Sequence, residues 1–136
     1  MRSINKTTNL LKQSILPNDV FIVLKGSIIA VLITLVCFLF FALVMRFMYL
    51  DDALIPSVNQ VIRIFSIALG GAYAARASRG IGWLKGALTG LLYIFWAFLI
   101  SWLFSGNLII NIVLLSDAFM GLLAGAIGGV IGVNID

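Results

Sequence analysis

The chain has 136 residues, 62% of them hydrophobic and 10% charged, and its formal charge of +4 comes from nine Lys/Arg against five Asp, with no Glu and no His. Its mean hydropathy is +1.18, whereas soluble domains are about half apolar and about a quarter charged, so the excess predicts residues that face lipid. Such a chain holds four spans of about 20 residues and no soluble domain with a core of its own. The basic balance finds no soluble basic face or nucleic-acid motif to carry it, which excludes nucleic acid and reads as charge that orients spans in a membrane.

Residues 1–18 read as a cytoplasmic N-terminal segment carrying Arg2, Lys6 and Lys12. Leu10, Leu11 and Ile15 allow one short interfacial turn before Pro17, and disorder is the equal alternative. Asn18 or Asp19 is expected to cap the helix that follows. Residues 19–136 then read as a single four-helix transmembrane domain, with spans at about 20–50, 56–77, 81–104 and 108–133. The first apolar run is too long for a signal-peptide core and lacks a small-residue cleavage pattern, so it is expected to remain as a span.

Asp51-Asp52 mark an aqueous loop after span one, and Pro56 suits the first turn of span two. In span two Ser66, Gly70, Ala74 and Ser78 recur every four residues. The tight polar turn Ala77-Ser78-Arg79-Gly80 leads into span three, and Ser105-Gly106-Asn107 into span four. Cys37 is the only cysteine and lies inside span one, so no intrachain disulfide is possible. With no His either, no metal cluster and no cofactor are expected.

Seven basic residues (Arg2, Lys6, Lys12, Lys25, Arg76, Arg79, Lys85) fall at one side of the membrane, and Arg46 and Arg63 at the other. This asymmetry predicts cytoplasmic N and C termini. Trp83, Tyr49 and Trp102 fit interfacial aromatic belts, whereas Tyr93 and Trp96 sit deeper.

Leu24-Lys25-Gly26 and Leu84-Lys85-Gly86 open spans one and three in the same way, and Gly70-Gly71 aligns with Gly128-Gly129 in spans two and four. The pattern suggests a parallel tandem repeat of two helix pairs, with convergence of two ordinary hairpins as the alternative.

Glycine every four residues lets helix backbones approach closely in a membrane. Gly82, Gly86 and Gly90 form one stripe and Gly121, Gly125 and Gly129 another, with Gly70 in the small-residue row of span two. Packing within the bundle is the plain expectation, and a face for self-association or for a larger membrane complex is the functional one. Gly128-x3-Gly132 marks a further face of span four.

Asp117 lies inside span four and Arg63 inside span two at a similar depth. A carboxylate at a helix centre costs about 2.5–3.5 kcal/mol on insertion scales and is expected to face a partner or a cavity. The reading pairs Arg63 with Asp117, with Asn59, Asn111 and Ser116 available for hydrogen bonds. The pair either fixes the register of spans two and four or lines an ion or proton pathway. Lys25, Arg76, Arg79 and Lys85 are expected at the inner surface, for topology or for contact with anionic headgroups. No Ser-His, Cys-His or paired intramembrane carboxylates are present, so no enzyme is expected.

The segment from Gly70 to Gly90, Gly-Gly-Ala-Tyr-Ala-Ala-Arg-Ala-Ser-Arg-Gly-Ile-Gly-Trp-Leu-Lys-Gly-Ala-Leu-Thr-Gly, resembles the centre of a family of small four-span membrane proteins of Firmicutes, sometimes called YrzE-like. The resemblance extends over nearly the whole chain in length and span number. It implies a bacterial plasma-membrane location and no established activity or ligand. The combined expectation is an all-α integral membrane bundle acting as a self-associating or complex-associated subunit in the lipid bilayer, with an oligomeric small transporter or channel as the alternative.

Overall fold

The computed structural model describes residues 1–14, 17–78, 80–107 and 112–135. They form five α-helices, α1 (Arg2–Ser14), α2 (Pro17–Phe47), α3 (Ile55–Ala77), α4 (Gly82–Ser105) and α5 (Ile112–Asn134), with a 3-10 turn at Asp52–Leu54 and no strand among them. α2, α3 with its leading 3-10 turn, α4 and α5 are each long and apolar enough to cross a membrane. The chain is thus a small four-span membrane protein.

Three local details depart from the sequence reading. Residues 2–14 are a 13-residue helix where one short turn or disorder was expected. No Pro or Gly interrupts the stretch, and the Thr7 and Thr8 hydroxyls donate to the Ser3 and Ile4 carbonyls one turn back, at 2.9 and 2.7 Å. α2 starts at Pro17, so Asn18 and Asp19 lie in its first turn and do not cap it. A proline's fixed φ favours that first position. Span one ends at Phe47, short of the expected residue 50, and the Asp51 carboxylate then accepts from Ala53 N–H to open the 3-10 turn. The start expected for span four at residue 108 lies outside the described residues.

α2 is about 46 Å long at 1.5 Å per residue and is apolar on every side. Phe21, Leu32, Leu39 and Phe40 are exposed along it, as a lipid-facing helix requires. Gly106 ends α4 in the left-handed conformation (φ 67°), its N–H bonded to the Trp102 carbonyl. Glycine adopts that φ without the Cβ clash other residues meet.

The four spans run up and down, but they do not form a square. α3 and α4 touch each other and both outer helices, α4 packing most extensively on α5 and α3 on α5 next. α2 rests on α3 and α4 and has no substantial contact with α5. Where they meet, the helices show small side chains. The buried set includes Ser27, Ala30, Ser66, Ala74, Ala87, Thr89 and Ala124, joined by Ile67, Tyr93 and Ile94. The buried hydroxyls of Ser27 and Thr89 donate to carbonyls three or four residues back in their own helices, so they fit against a neighbour without leaving a donor unmet.

The glycine stripes of α4 and α5 face each other. A Cβ on Gly86 would collide with the Gly125 carbonyl, one on Gly125 with that of Gly86, and one on Gly90 with that of Gly121. Gly128 and Gly132 lie on a second face of α5, against Ala68 and Ala72 of α3. Gly70 of α3 meets Ala30 and Gly26 of α2. Contact at backbone distance replaces the missing hydrophobic drive between helices in lipid. In this packing Gly26 meets Gly70 and Ala74 much as Gly86 meets Gly125 and Gly129. That register differs from the sequence alignment, which pairs Gly70 with Gly128.

Candidate functional site

Among the described residues two ion pairs hold helices together, one toward each end of the bundle. At the end that carries the α2 N-terminus and the α3–α4 turn, Lys85 Nζ lies 2.7 Å from Asp19 Oδ1, and the two side chains are 1% and 11% exposed. Lys85 is the fourth residue of α4 and Asp19 the third of α2. These parallel first turns bring the charges together. By sequence Lys85 belongs with the surface cations; the structure buries it. Gly86 and Gly82 draw α4 close to α5, and α2 closes over the remaining side, so the lysine stem has no route outward. Lys25, its counterpart in the first Leu-Lys-Gly segment, is exposed, with its ammonium 5.0 Å from the Phe21 ring centroid. Arg76 is exposed at the same end, and Arg79 lies outside the described residues.

Toward the other end, Arg63 Nη1 donates to Asp117 Oδ2 at 3.3 Å, with side chains 27% and 25% exposed. Arg63 lies eight residues along α3, about 12 Å from its start. α3 and α5 run parallel, so residues at matching depth meet. The contact is single and longer than the roughly 2.7–2.9 Å of a strong charge-assisted bond, which sets it apart from Lys85–Asp19.

Arg63 stands between open spaces. A cleft of about 440 Å³ runs beside Asp117 between α4 and α5, with Ser101, Ser105 and Asn107 along its wall. A second cavity of about 330 Å³ lies between α2, α3 and α4, where Arg63 and Asn59 face Thr34 and Tyr93. Asn59 thus adjoins Arg63 in this second cavity, whereas Ser116 is exposed and lines neither space. Asn111 lies outside the described residues. A small space at Gln60, Met120 and Gly121 also reaches Arg63.

The second cavity explains the deep Tyr93. Its hydroxyl is 3.0 Å from Thr34 Oγ1, which also donates to the Ala30 carbonyl of its own helix at 2.9 Å. This bond ties α2 to α4 halfway along their length. Trp96 is different: its buried indole N–H finds no acceptor among the described residues. Thr34 does not stand out in the sequence, because a threonine in an apolar run is ordinary, and neither does Asp19, because it looks like a cap. The signal for Asp19 was present, since an acid in the first turn of one span and a lysine in the first turn of a parallel span lie at one level. No group of three metal-binding side chains occurs among the described residues.

The model of a family described as "Protein of unknown function (DUF3792)" matches residues 19–132. The chain belongs to the DUF3792 family. The matched region begins at Asp19 of the buried pair, ends at Gly132 of the α3–α5 contact, and leaves α1 outside. Within the DUF3792 region lie both ion pairs, both cavities and every glycine of the two stripes. Comparison with curated proteins and with solved structures finds no match for the chain.

Proposed function

We propose that the protein is a non-enzymatic membrane subunit that acts by assembling, with a second copy of itself or within a larger membrane complex. The observation that supports this best is the open Arg63–Asp117 cleft, two charges a quarter exposed inside a span region. Charges at that depth are expensive beside lipid and are covered by protein or water. A partner helix laid against Ser101 and Asn107 would cover them. The glycine stripes serve this reading as a scaffold. They are occupied by helices of the same chain, so the assembly face is the cleft and not the stripes.

The test is mass spectrometry of the protein extracted in native lipid. The expected result is a dimer or a stable partner, lost when Ser101→Trp fills the cleft. A lone monomer from wild-type membranes overturns the proposal. The setting we propose is a bacterial plasma membrane, in a Firmicute as the sequence resemblance implies, with both termini cytoplasmic. Reporter fusions at the C-terminus and in the 48–54 loop check the topology.

A second reading, an oligomeric transporter or channel, draws on Arg63 bordering three adjoining spaces. Liposome flux for common ions, compared between wild type and Asp117→Asn, decides it. Flux that is absent, or indifferent to Asp117, removes this reading.

A further inference from the structure

We propose that the cavity between α2, α3 and α4 binds a membrane amphiphile by an acidic head, a carboxylate or a phosphate, with Arg63 as the recognising cation. The site is complete within one chain and does not rest on assembly. Its polar groups converge from three helices: Arg63 and Asn59 from α3, Thr34 from α2 and Tyr93 from α4. The guanidinium has five N–H donors, and the bond to Asp117 occupies one of them. Asn59 adds amide donors. Thr34 donates its one proton to the Ala30 carbonyl, so Tyr93 donates its own to Thr34 Oγ1, and these two hydroxyls hold each other in place without offering a proton to the cavity. The donors left for a ligand are the other guanidinium N–H groups and the Asn59 amide, and they suit an acceptor-bearing head. A planar guanidinium grips a carboxylate or phosphate through paired N–H bonds.

The rest of the wall is hydrocarbon, with Leu35, Phe38 and Ile100 among its residues. The space of about 330 Å³ lies at the small end of ligand pockets, which run from about 300 to 1,000 Å³. Phe38 and Leu35 continue along α2 to its lipid-exposed side, where Leu39 is 69% exposed, so a chain can leave the site directly into the bilayer. Arg63 lies about 12 Å along α3 from the nearer end, deeper than the headgroup of an ordinary surrounding lipid. Asp117 holds the guanidinium from its far side and offsets its charge while the site is vacant, which lowers the cost of keeping an arginine there.

The experiment uses the full chain purified in a mild detergent. Binding of palmitate and of phosphatidylglycerol is measured separately by native mass spectrometry and thermal shift, with methyl palmitate and diacylglycerol as controls that lack the anionic group. Saturable binding of palmitate places a carboxylate in the site; saturable binding of phosphatidylglycerol places a phosphate there. Binding to the acid exceeds that to its control by at least about tenfold and falls by a similar factor in Arg63→Gln/Asp117→Asn, a change that removes both charges together. Asn59→Ala, which leaves the ion pair in place, weakens binding by about threefold and decides the matter if the double variant does not fold. Equal binding of acid and control, or binding that none of these substitutions changes, overturns the proposal.

Discussion

The two Leu-Lys-Gly segments have the same sequence and opposite fates. Lys25 points out of the bundle over Phe21, while Lys85 is enclosed and paired with Asp19. Gly26 sits against Ala74 and Gly70, with a Cβ placed there 2.8 and 2.9 Å from its nearest neighbours; a Cβ on Gly86 would run into the backbone of Gly125. The α2–α3 hairpin is therefore the looser unit and the α4–α5 hairpin the tighter one. The difference comes from position. α4 is bordered by α2, α3 and α5, whereas α2 is bordered only by α3 and α4. A lysine in the first turn of a central helix, such as Lys85, must find a buried acid; Lys25, the ninth residue of the peripheral α2, reaches headgroups or water by snorkelling.

The sharpest way to break this comparison is to remove each lysine. Lys85→Ala leaves Asp19 buried without its partner, and the expected loss is about 3–5 kcal/mol in unfolding from mixed micelles. The double variant Asp19→Leu/Lys85→Met should recover most of that loss, because an apolar pair of similar size replaces a buried ion pair at little cost. A loss that persists in the double variant would show that Lys85 stabilises through something other than Asp19.

The glycines come next. Gly86→Ala forces α4 and α5 apart along a backbone contact, for an expected 1–3 kcal/mol or roughly more. Gly26→Ala presses on a peripheral helix that is free to shift, and less than about half of that loss is expected. Equal losses, measured in the same micelles, would erase the distinction between the two hairpins.

The Arg63–Asp117 contact is longer and more exposed than the Lys85–Asp19 pair and is expected to be the weaker of the two. A double-mutant cycle on Arg63→Gln and Asp117→Asn should give a coupling of about 0.6 kcal/mol, and not above about 1.7, as found for polar contacts between membrane helices. A coupling near that of the Lys85–Asp19 cycle would mean that the cleft is drier than its open walls suggest.

Much of this arrangement is legible in the sequence, for identifiable reasons. The spans show as apolar runs because lipid demands about 20 such residues. Arg63 and Asp117 are each isolated within a run, and the fixed rise of a helix converts position to depth, so their meeting follows from counting. Lys85 and Asp19 escape the same argument because each lies at the flank of a span, where a charge needs no explanation. Two identical tripeptides cannot announce which lysine is enclosed, since that depends on which helix occupies the centre. The stripes show that backbones will approach but not which faces meet. Hence the alignment of Gly70 with Gly128 misses the observed contacts of Gly125 with Gly86 and of Gly128 with Ala68. Thr34 and Tyr93 give no pattern at all until α2 and α4 are laid side by side.

The smallest expected effect concerns Lys25 and is the most demanding check on the comparison. Its ammonium lies 5.0 Å from the Phe21 ring centroid, and an exposed contact of that kind contributes about 0.5–1 kcal/mol at most. Lys25 and Phe21 are four residues apart on one helix, so the contact holds nothing between helices. Lys25→Gln should therefore leave unfolding within about 0.5–1 kcal/mol of wild type, several-fold below Lys85→Ala. Its effect should appear in topology instead, since one fewer cation remains at the end that carries Arg76 and the α1 lysines. A loss from Lys25→Gln comparable to that from Lys85→Ala would mean that α2 also has a buried neighbour on its outward side. The natural source of such a neighbour is a second copy of the chain.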